Sequence, residues 1–209
     1  MLKVKICGIT NYDDALSATN LGADYLGFQL MKDSPKKVSD KMLQEVNEKL
    51  PPFVLAVAIF QDQDQKAITK TVKKTQVKAV QLNGKETPEF CKALQVALGV
   101  KVFKLMKYTS AMDILNLKPY VGNIDYFILD VSQTDEQGNI SVSFDALKEV
   151  AQLNVPFFVT GNISSDNVSD LMEIVTPYGV EADTSIERKQ RRKDFDKMSL
   201  FIKKAHGLR

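Results

Sequence analysis

Short runs of aliphatic, β-branched and aromatic residues recur roughly every 25 residues along the chain, each followed by a polar stretch with a different period. The runs are Lys3–Cys7, Tyr25–Leu30, Phe53–Phe60, Ala79–Leu82, Lys101–Lys107, Tyr126–Val131, Pro156–Thr160 and Gly179–Asp183. Most are almost continuously apolar rather than alternating, the pattern of strands covered on both faces. Between them, apolar residues fall at i, i+3, i+4 and i+7, as in Phe90, Ala93, Leu94 and Ala97, or Val168, Leu171, Met172 and Val175, or Phe195, Met198, Ile202 and Ala205. Such spacing makes one-sided helices. Helix starts are marked separately by Thr10 with Asp13, by Thr87 before Pro88 and Glu89, and by Ser110, Ser143 and Ser164. Eight strand and helix pairs without a Pro/Gly/Ser-rich linker predict an α/β protein, a single (β/α)8 TIM barrel domain over residues 1–209. Element order alone leaves a doubly wound open sheet standing as the alternative.

Composition agrees with a packed domain. The 209 residues are 44% hydrophobic and 26% charged, which excludes disorder and collagen-like architecture. The 28 basic and 26 acidic residues leave a formal charge of +2. That balance does not call for nucleic acid or a membrane surface, so small molecules are the expected partners. Cys7 and Cys91 form no disulfide framework and no zinc-ligand cluster. A reducing cytoplasm fits them. The opening MLKVKICGIT reads as a strand ending at a glycine rather than a signal peptide, and no apolar run approaches the length of a membrane span. A soluble, unprocessed, cytoplasmic protein is expected.

In a (β/α)8 barrel the active site lies where the strands end. The ends carry Cys7, the Gly27–Lys36 stretch, Gln81–Glu86, Lys104–Lys107, Asp130, Thr160–Asn162 and Asp183–Ser185. Cys7 and Asp130 are the candidate proton carriers. A cysteine flanked by Ile6 and Gly8 also suits a small buried core position. A carboxylate after the apolar run Tyr126–Leu129 must be paired, hydrogen-bonded or functional. His206 is the single histidine and sits on the last helix, which disfavours Ser/His/Asp, Cys/His and multi-histidine metal chemistry. The basic run Arg188, Lys189, Arg191, Arg192, Lys193 reads first as a solvated loop and second as an anion contact.

Lys5-Ile6-Cys7-Gly8-Ile9-Thr10, Gly27-Phe28, Ser34-Pro35-Lys36, Gln81-Leu82-Asn83-Gly84-Lys85-Glu86, Ile128-Leu129-Asp130, Glu187 and Lys193-Asp194 together resemble the phosphoribosylanthranilate isomerase family of tryptophan synthesis. The resemblance implies an Amadori rearrangement of an aminoaldose to an aminoketose on a sugar-phosphate substrate. It implies Cys7 as general base and Asp130 as general acid, with no cofactor and no metal. Lys5, Lys36, Asn83, Gly161, Asn162, Asp183, Thr184 and Ser185 are the implied substrate-holding residues, in a monomer or homodimer that binds neither nucleic acid nor membrane. Lys5 shares strand parity with Cys7 and is expected to favour its thiolate.

Several holding positions depart from the family pattern. Lys36 stands where an arginine follows Ser-Pro, and Asn83 replaces a histidine. Asp135-Glu136-Gln137-Gly138-Asn139 replaces a glycine-rich segment, Gly161-Asn162 a Gly-Gly pair, and Asp183-Thr184-Ser185 a Ser-Ser-Gly segment. Asn162 can still adopt a left-handed backbone, but Asp183 is expected to repel a phosphate. Three functional readings follow: an authentic isomerase, a paralogue acting on another aminosugar, and a non-catalytic ligand-binding barrel.

Overall fold

The structure is a computed structural model describing residues 1–132 and 144–208. The expected helix start at Ser143 and the segment Asp135 to Asn139 lie outside the described residues. Strands β1 (Lys3–Ile6), β2 (Tyr25–Gln29), β3 (Leu55–Phe60), β4 (Ala79–Leu82), β5 (Lys101–Lys107), β6 (Tyr126–Asp130), β7 (Phe157–Thr160) and β8 (Gly179–Ala182) form a closed barrel in chain order. Because β1 pairs in parallel with both β2 and β8, the open-sheet alternative falls. Strand ends agree with the sequence pattern to within two residues. The largest difference is at β3, which begins at Leu55 because Phe53, after the Pro51-Pro52 pair, is 73% exposed.

Alternation along the strands sorts the core into two parts. Tyr25, Val57, Ala79, Phe103, Ile128 and Phe158 fill the barrel interior. Val4, Ile6, Leu26, Phe28, Val80, Val102, Phe127 and Val180 face outward, in the larger core shared with the helices. The interior rings meet mainly edge to face, as with Tyr25 and Phe158 at 5.4 Å between centroids. This packing closes the bottom of the barrel and leaves the strand ends as the accessible mouth.

The outer layer contains α1 (Tyr12–Leu21), α2 (Asp40–Asn47), α3 (Gln65–Thr75), α4 (Pro88–Leu98), α5 (Ile114–Leu117), α6 (Val168–Ile174) and α7 (Phe195–Ala205). Two connections depart from the expected full helices. After β5, α5 is a single turn between 3-10 segments, interrupted where Pro119 supplies no N–H. Before β7, Phe144–Lys148 and Val150–Leu153 are 3-10 turns. Their apolar residues Phe144, Leu147, Val150 and Leu153 recur every three positions, which suits three residues per turn. The caps also refine the reading. Thr87 and Ser110 sit where expected, but Asn11 rather than Thr10 caps α1, and Asn167 rather than Ser164 immediately precedes α6. Thr10 Oγ1 instead donates to the Arg191 carbonyl at 2.7 Å.

The basic run is a short hairpin of β9 (Glu187–Lys189) and β10 (Arg192–Lys193), not a loop. Arg191, at φ 68°, donates to the carbonyls of Pro35 and Lys37 at 2.7 and 3.2 Å. The hairpin therefore fastens the end of β8 to the loop after β2. Lys193 is buried.

A second anchor holds the loop after β4. Lys104, buried on the outer face of β5, donates to the carbonyls of Leu82 and Gly84 at 3.2 and 2.7 Å and to Glu86 Oε2 at 3.1 Å. Glu86 also accepts from the backbone N–H groups of Asp62 and Gly84. Removing the cation strands a buried carboxylate. Lys104→Met is expected to cost about 3–5 kcal/mol in urea unfolding. A loss below about 1 kcal/mol, the range of exposed pairs, would show that the network carries little of the fold.

Candidate active site

The strand ends enclose a cavity of about 520 Å³. Cys7 and Asp130 both line it, although Cys7 follows β1, Asp130 ends β6 and they are 123 positions apart in sequence (130 − 7). Asn83, Gly161, Asn162, Asp183, Thr184 and Ser185 line it as well. Lys5 and Lys36 do not. His206 caps the far end of α7, away from this wall.

Cys7 is placed by the barrel closure. Its backbone N–H donates to the Ala182 carbonyl at 2.9 Å, continuing the seam between β1 and β8. Gly27 makes room for the thiol, because a Cβ there would stand 2.9 Å from Sγ. Burial pushes the Cys7 thiol up to about 12, and the charge of Glu181 acts in the same direction. Lys5 and Lys193 pull it down by less.

Lys5 shares the inner face of the barrel with Cys7, as strand parity implies, but it lies below the cavity wall rather than in it. It is fully buried on the inner face of β1 and bridges Glu181 on β8 at 2.5 Å. Glu181 also accepts from Thr160 Oγ1 at 3.3 Å. With its ammonium engaged by Glu181, Lys5 does not by itself produce a thiolate.

Asp130 ends β6, and its Oδ1 accepts from the Ser132 N–H at 2.9 Å. Gly161 lies against that carboxyl, and a Cβ there would collide with Asp130 Oδ1 and with Ser132 N. Its φ of 86° adds a second reason for glycine. Asn162 follows at φ 56°, the left-handed conformation expected of it, and its Nδ2 donates to the Ser132 carbonyl at 3.3 Å. Thr184–Ile186 forms a 3-10 turn, and Ser185 Oγ donates to the Ile163 carbonyl at 2.8 Å.

Asp183 differs most from expectation. Its Oδ1 meets Lys36 Nζ at 2.7 Å and Lys193 Nζ at 2.9 Å, while Oδ2 accepts from Gln29 at 3.1 Å. Glu187 is 2.9 Å from Lys36 and 3.5 Å from Lys193. Burial acts to raise the Asp183 carboxyl, but the two lysines outweigh it and hold the group below the ordinary carboxylate value. The expected bare repulsion of a phosphate is therefore offset by two ammonium groups. The same bridges remove Lys36 from the cavity wall.

Gln29, Gln81, Leu105, Ser132, Thr160 and Glu181 also line the cavity, beyond the binding residues expected from sequence. Strand parity was a usable signal for some of them. Gln29 shares a face with Gly27, and Glu181 lies opposite Lys5 in the β1–β8 register.

The family model described as N-(5′-phosphoribosyl)anthranilate (PRA) isomerase matches residues 4–204. The chain is 32% identical over 206 residues to N-(5′-phosphoribosyl)anthranilate isomerase of Geobacter metallireducens, covering 98% of this chain and 99% of the relative. Its fold is similar to phosphoribosyl anthranilate isomerase from Thermotoga maritima, with a TM-score of 0.91, 30% identity and full coverage of both chains. It is also similar to a phosphoribosyl anthranilate isomerase bound to reduced 1-(o-carboxyphenylamino)-1-deoxyribulose 5-phosphate, with a TM-score of 0.88, 29% identity and full coverage of both chains.

The raised thiol has a direct readout in the free protein. Only the thiolate is alkylated, so iodoacetamide labelling of Cys7, followed by mass spectrometry, is expected to accelerate about tenfold per pH unit from about pH 7 to about pH 10. Levelling off by about pH 8 would mean that the thiolate is already formed there and that burial does not govern this group.

Proposed function

The chain belongs to the N-(5′-phosphoribosyl)anthranilate isomerase family, and from that premise we propose that Cys7 and Asp130 are the base and acid of its aldose–ketose isomerisation in tryptophan synthesis. Their placement on one cavity at the barrel mouth carries this assignment. The substrate is N-(5′-phosphoribosyl)anthranilate, an aminoaldose, and the product is the corresponding aminoketose. The whole chain, residues 1–209, serves as one barrel domain.

The phosphate end belongs at Gly161, Asn162, Thr184 and Ser185. Backbone N–H groups at the start of a helical turn have no partner within it, and they suit an anion. Asp130 then gives its proton to the ring oxygen as the bond from C1′ to that oxygen breaks. The nitrogen lone pair forms the C=N bond, leaving a cationic Schiff base. Cys7 as thiolate removes the C2′ proton. The electrons of that C–H bond form the C1′=C2′ bond, and a C=N pair returns to nitrogen. The resulting enolamine gains a proton at C1′ and loses the C2′ hydroxyl proton, which gives the ketone. Proton transfers alone complete the sequence.

The electrostatics favour this order. Asp130, Glu181 and Asp183 line the cavity, whereas no Lys or Arg among the described residues does. A positive charge developing beside Cys7 lowers the thiol's pKa at the stage when the thiolate is required. In the free site the same thiol stays protonated and protected. A working thiol also fits a reducing cytoplasm. Among the described residues, no helix is long and apolar enough to cross a membrane. The protein acts as a monomer or homodimer. Nothing in the site favours another aminosugar, because the charge of Asp183 that pointed that way is matched by Lys36 and Lys193.

Turnover of N-(5′-phosphoribosyl)anthranilate is the test. Cys7→Ser and Asp130→Asn are each expected to lower kcat by about 10²–10⁴-fold, with thermal unfolding little changed. Unchanged turnover in either variant would reject its role. Loss of folding in Cys7→Ser would instead make the cysteine a core residue.

A further inference from the structure

Gln81, the next-to-last residue of β4, lines the cavity and is 1% exposed. Its Nε2 donates to Asn83 Oδ1 at 3.0 Å. Its Oε1 is buried and has no hydrogen-bond partner among the described residues. A buried carbonyl oxygen is costly to leave unpaired, and one on a residue that lines a cavity calls for a donor from what the cavity binds.

We propose that Gln81 Oε1 accepts the N–H of the substrate's amine and stabilises the cationic Schiff base that forms there. This rests on the isomerase reading above. In the closed strand order β4 lies across the barrel from β8. A sugar whose phosphate sits at Gly161, Asn162, Thr184 and Ser185 therefore directs its C1′ nitrogen toward the wall that holds Gln81. In the ground state that nitrogen is a neutral amine, and its hydrogen bond to Oε1 is an ordinary one. When the ring opens, the nitrogen becomes part of a cationic C=N group that keeps its proton, and the same bond becomes charge-assisted and stronger. When C2′ loses its proton the nitrogen is neutral again. The interaction is thus strongest where charge develops, which lowers the barrel's barrier to ring opening more than it tightens binding. The bond from Nε2 to Asn83 holds the amide in this orientation.

Gln81→Leu removes the acceptor and also the unpaired buried oxygen. Its kcat is expected to fall about ten- to hundredfold, the rate equivalent of one hydrogen bond to a charged group. The melting temperature is expected to stay level or rise. Affinity for reduced 1-(o-carboxyphenylamino)-1-deoxyribulose 5-phosphate, whose nitrogen is a neutral amine, is expected to change by less than about threefold. The inference is overturned if Gln81→Leu keeps wild-type kcat, if its melting temperature falls, or if analogue affinity drops as far as kcat. Wild type and Cys7→Ser run alongside separate the two readings. An inactive wild type removes the isomerase reading and this inference together. An active wild type, an inactive Cys7→Ser and a fully active Gln81→Leu remove only the inference.

Discussion

The barrel closes over a buried ion pair. Lys5 on β1 and Glu181 on β8 meet on the inner face at the seam, in a register that sets them side by side. Either charge buried alone would be strongly destabilising, so the last strand has reason to arrive in this register and no other. A slip of one residue would turn Glu181 toward the helices and leave Lys5 without a partner. Thr160 extends the contact to β7. Cys7 lies two residues beyond Lys5 on the same face, so the pair that closes the fold also sets the field at the thiol. Glu181 opposes the thiolate, Lys5 favours it, and burial outweighs both. Barrel closure and the protonated resting state of the Cys7 thiol are therefore one arrangement.

The fold was legible because its strands are buried on both sides. Continuous apolar runs such as Val102–Phe103 and Phe127–Leu129 have few alternatives to a covered parallel sheet, and the structure trims their ends only slightly. The helices were less legible where a shorter period was available. Phe144, Leu147, Val150 and Leu153 satisfy a spacing of three as well as a helical one, and the chain takes the tighter turn. At the start of α1, Thr10 and Asn11 are both competent caps. The hydrogen bond from Thr10 to Arg191, far along the chain, leaves the capping position to Asn11. Local sequence does not carry that information.

The site was legible to the extent that strand ends define it. Cys7 and Asp130 could be read from where two apolar runs stop, and the structure brings both to one cavity. What the sequence concealed were long-range pairings. Lys36 has the charge expected of a substrate contact, but its partners Asp183 and Glu187 lie across the barrel mouth on the far part of the chain. Lys193 looked like one member of a solvated basic run, yet the hairpin turns it inward onto Asp183. Gln81 falls within the strand-end stretch Gln81–Glu86, but a glutamine there has no distinctive chemistry that assigns it a role. Only its unpaired Oε1 in a buried wall singles it out.

These pairings change what the departures from the family pattern mean. Asp183-Thr184-Ser185 lacks the glycine of a Ser-Ser-Gly turn, and a loop without that freedom needs another source of shape. Here two ammonium groups and two carboxylates supply it, with Lys36 and Lys193 set between Asp183 and Glu187. The formal charges of the four cancel, so the loop is fixed without adding a net charge to the cavity rim. The consequence appears on the opposite wall. Once Lys36 is held by Asp183, no cation among the described residues lines the cavity, and Gln81 and Asn83, at the end of β4, are the amides that face the loop. The hydrogen-bonding groups at that end are uncharged amides. Amide hydrogen bonds are weaker than an ion pair toward a carboxylate and depend more on geometry, so a wall built from them discriminates by the placement of individual donors and acceptors rather than by charge.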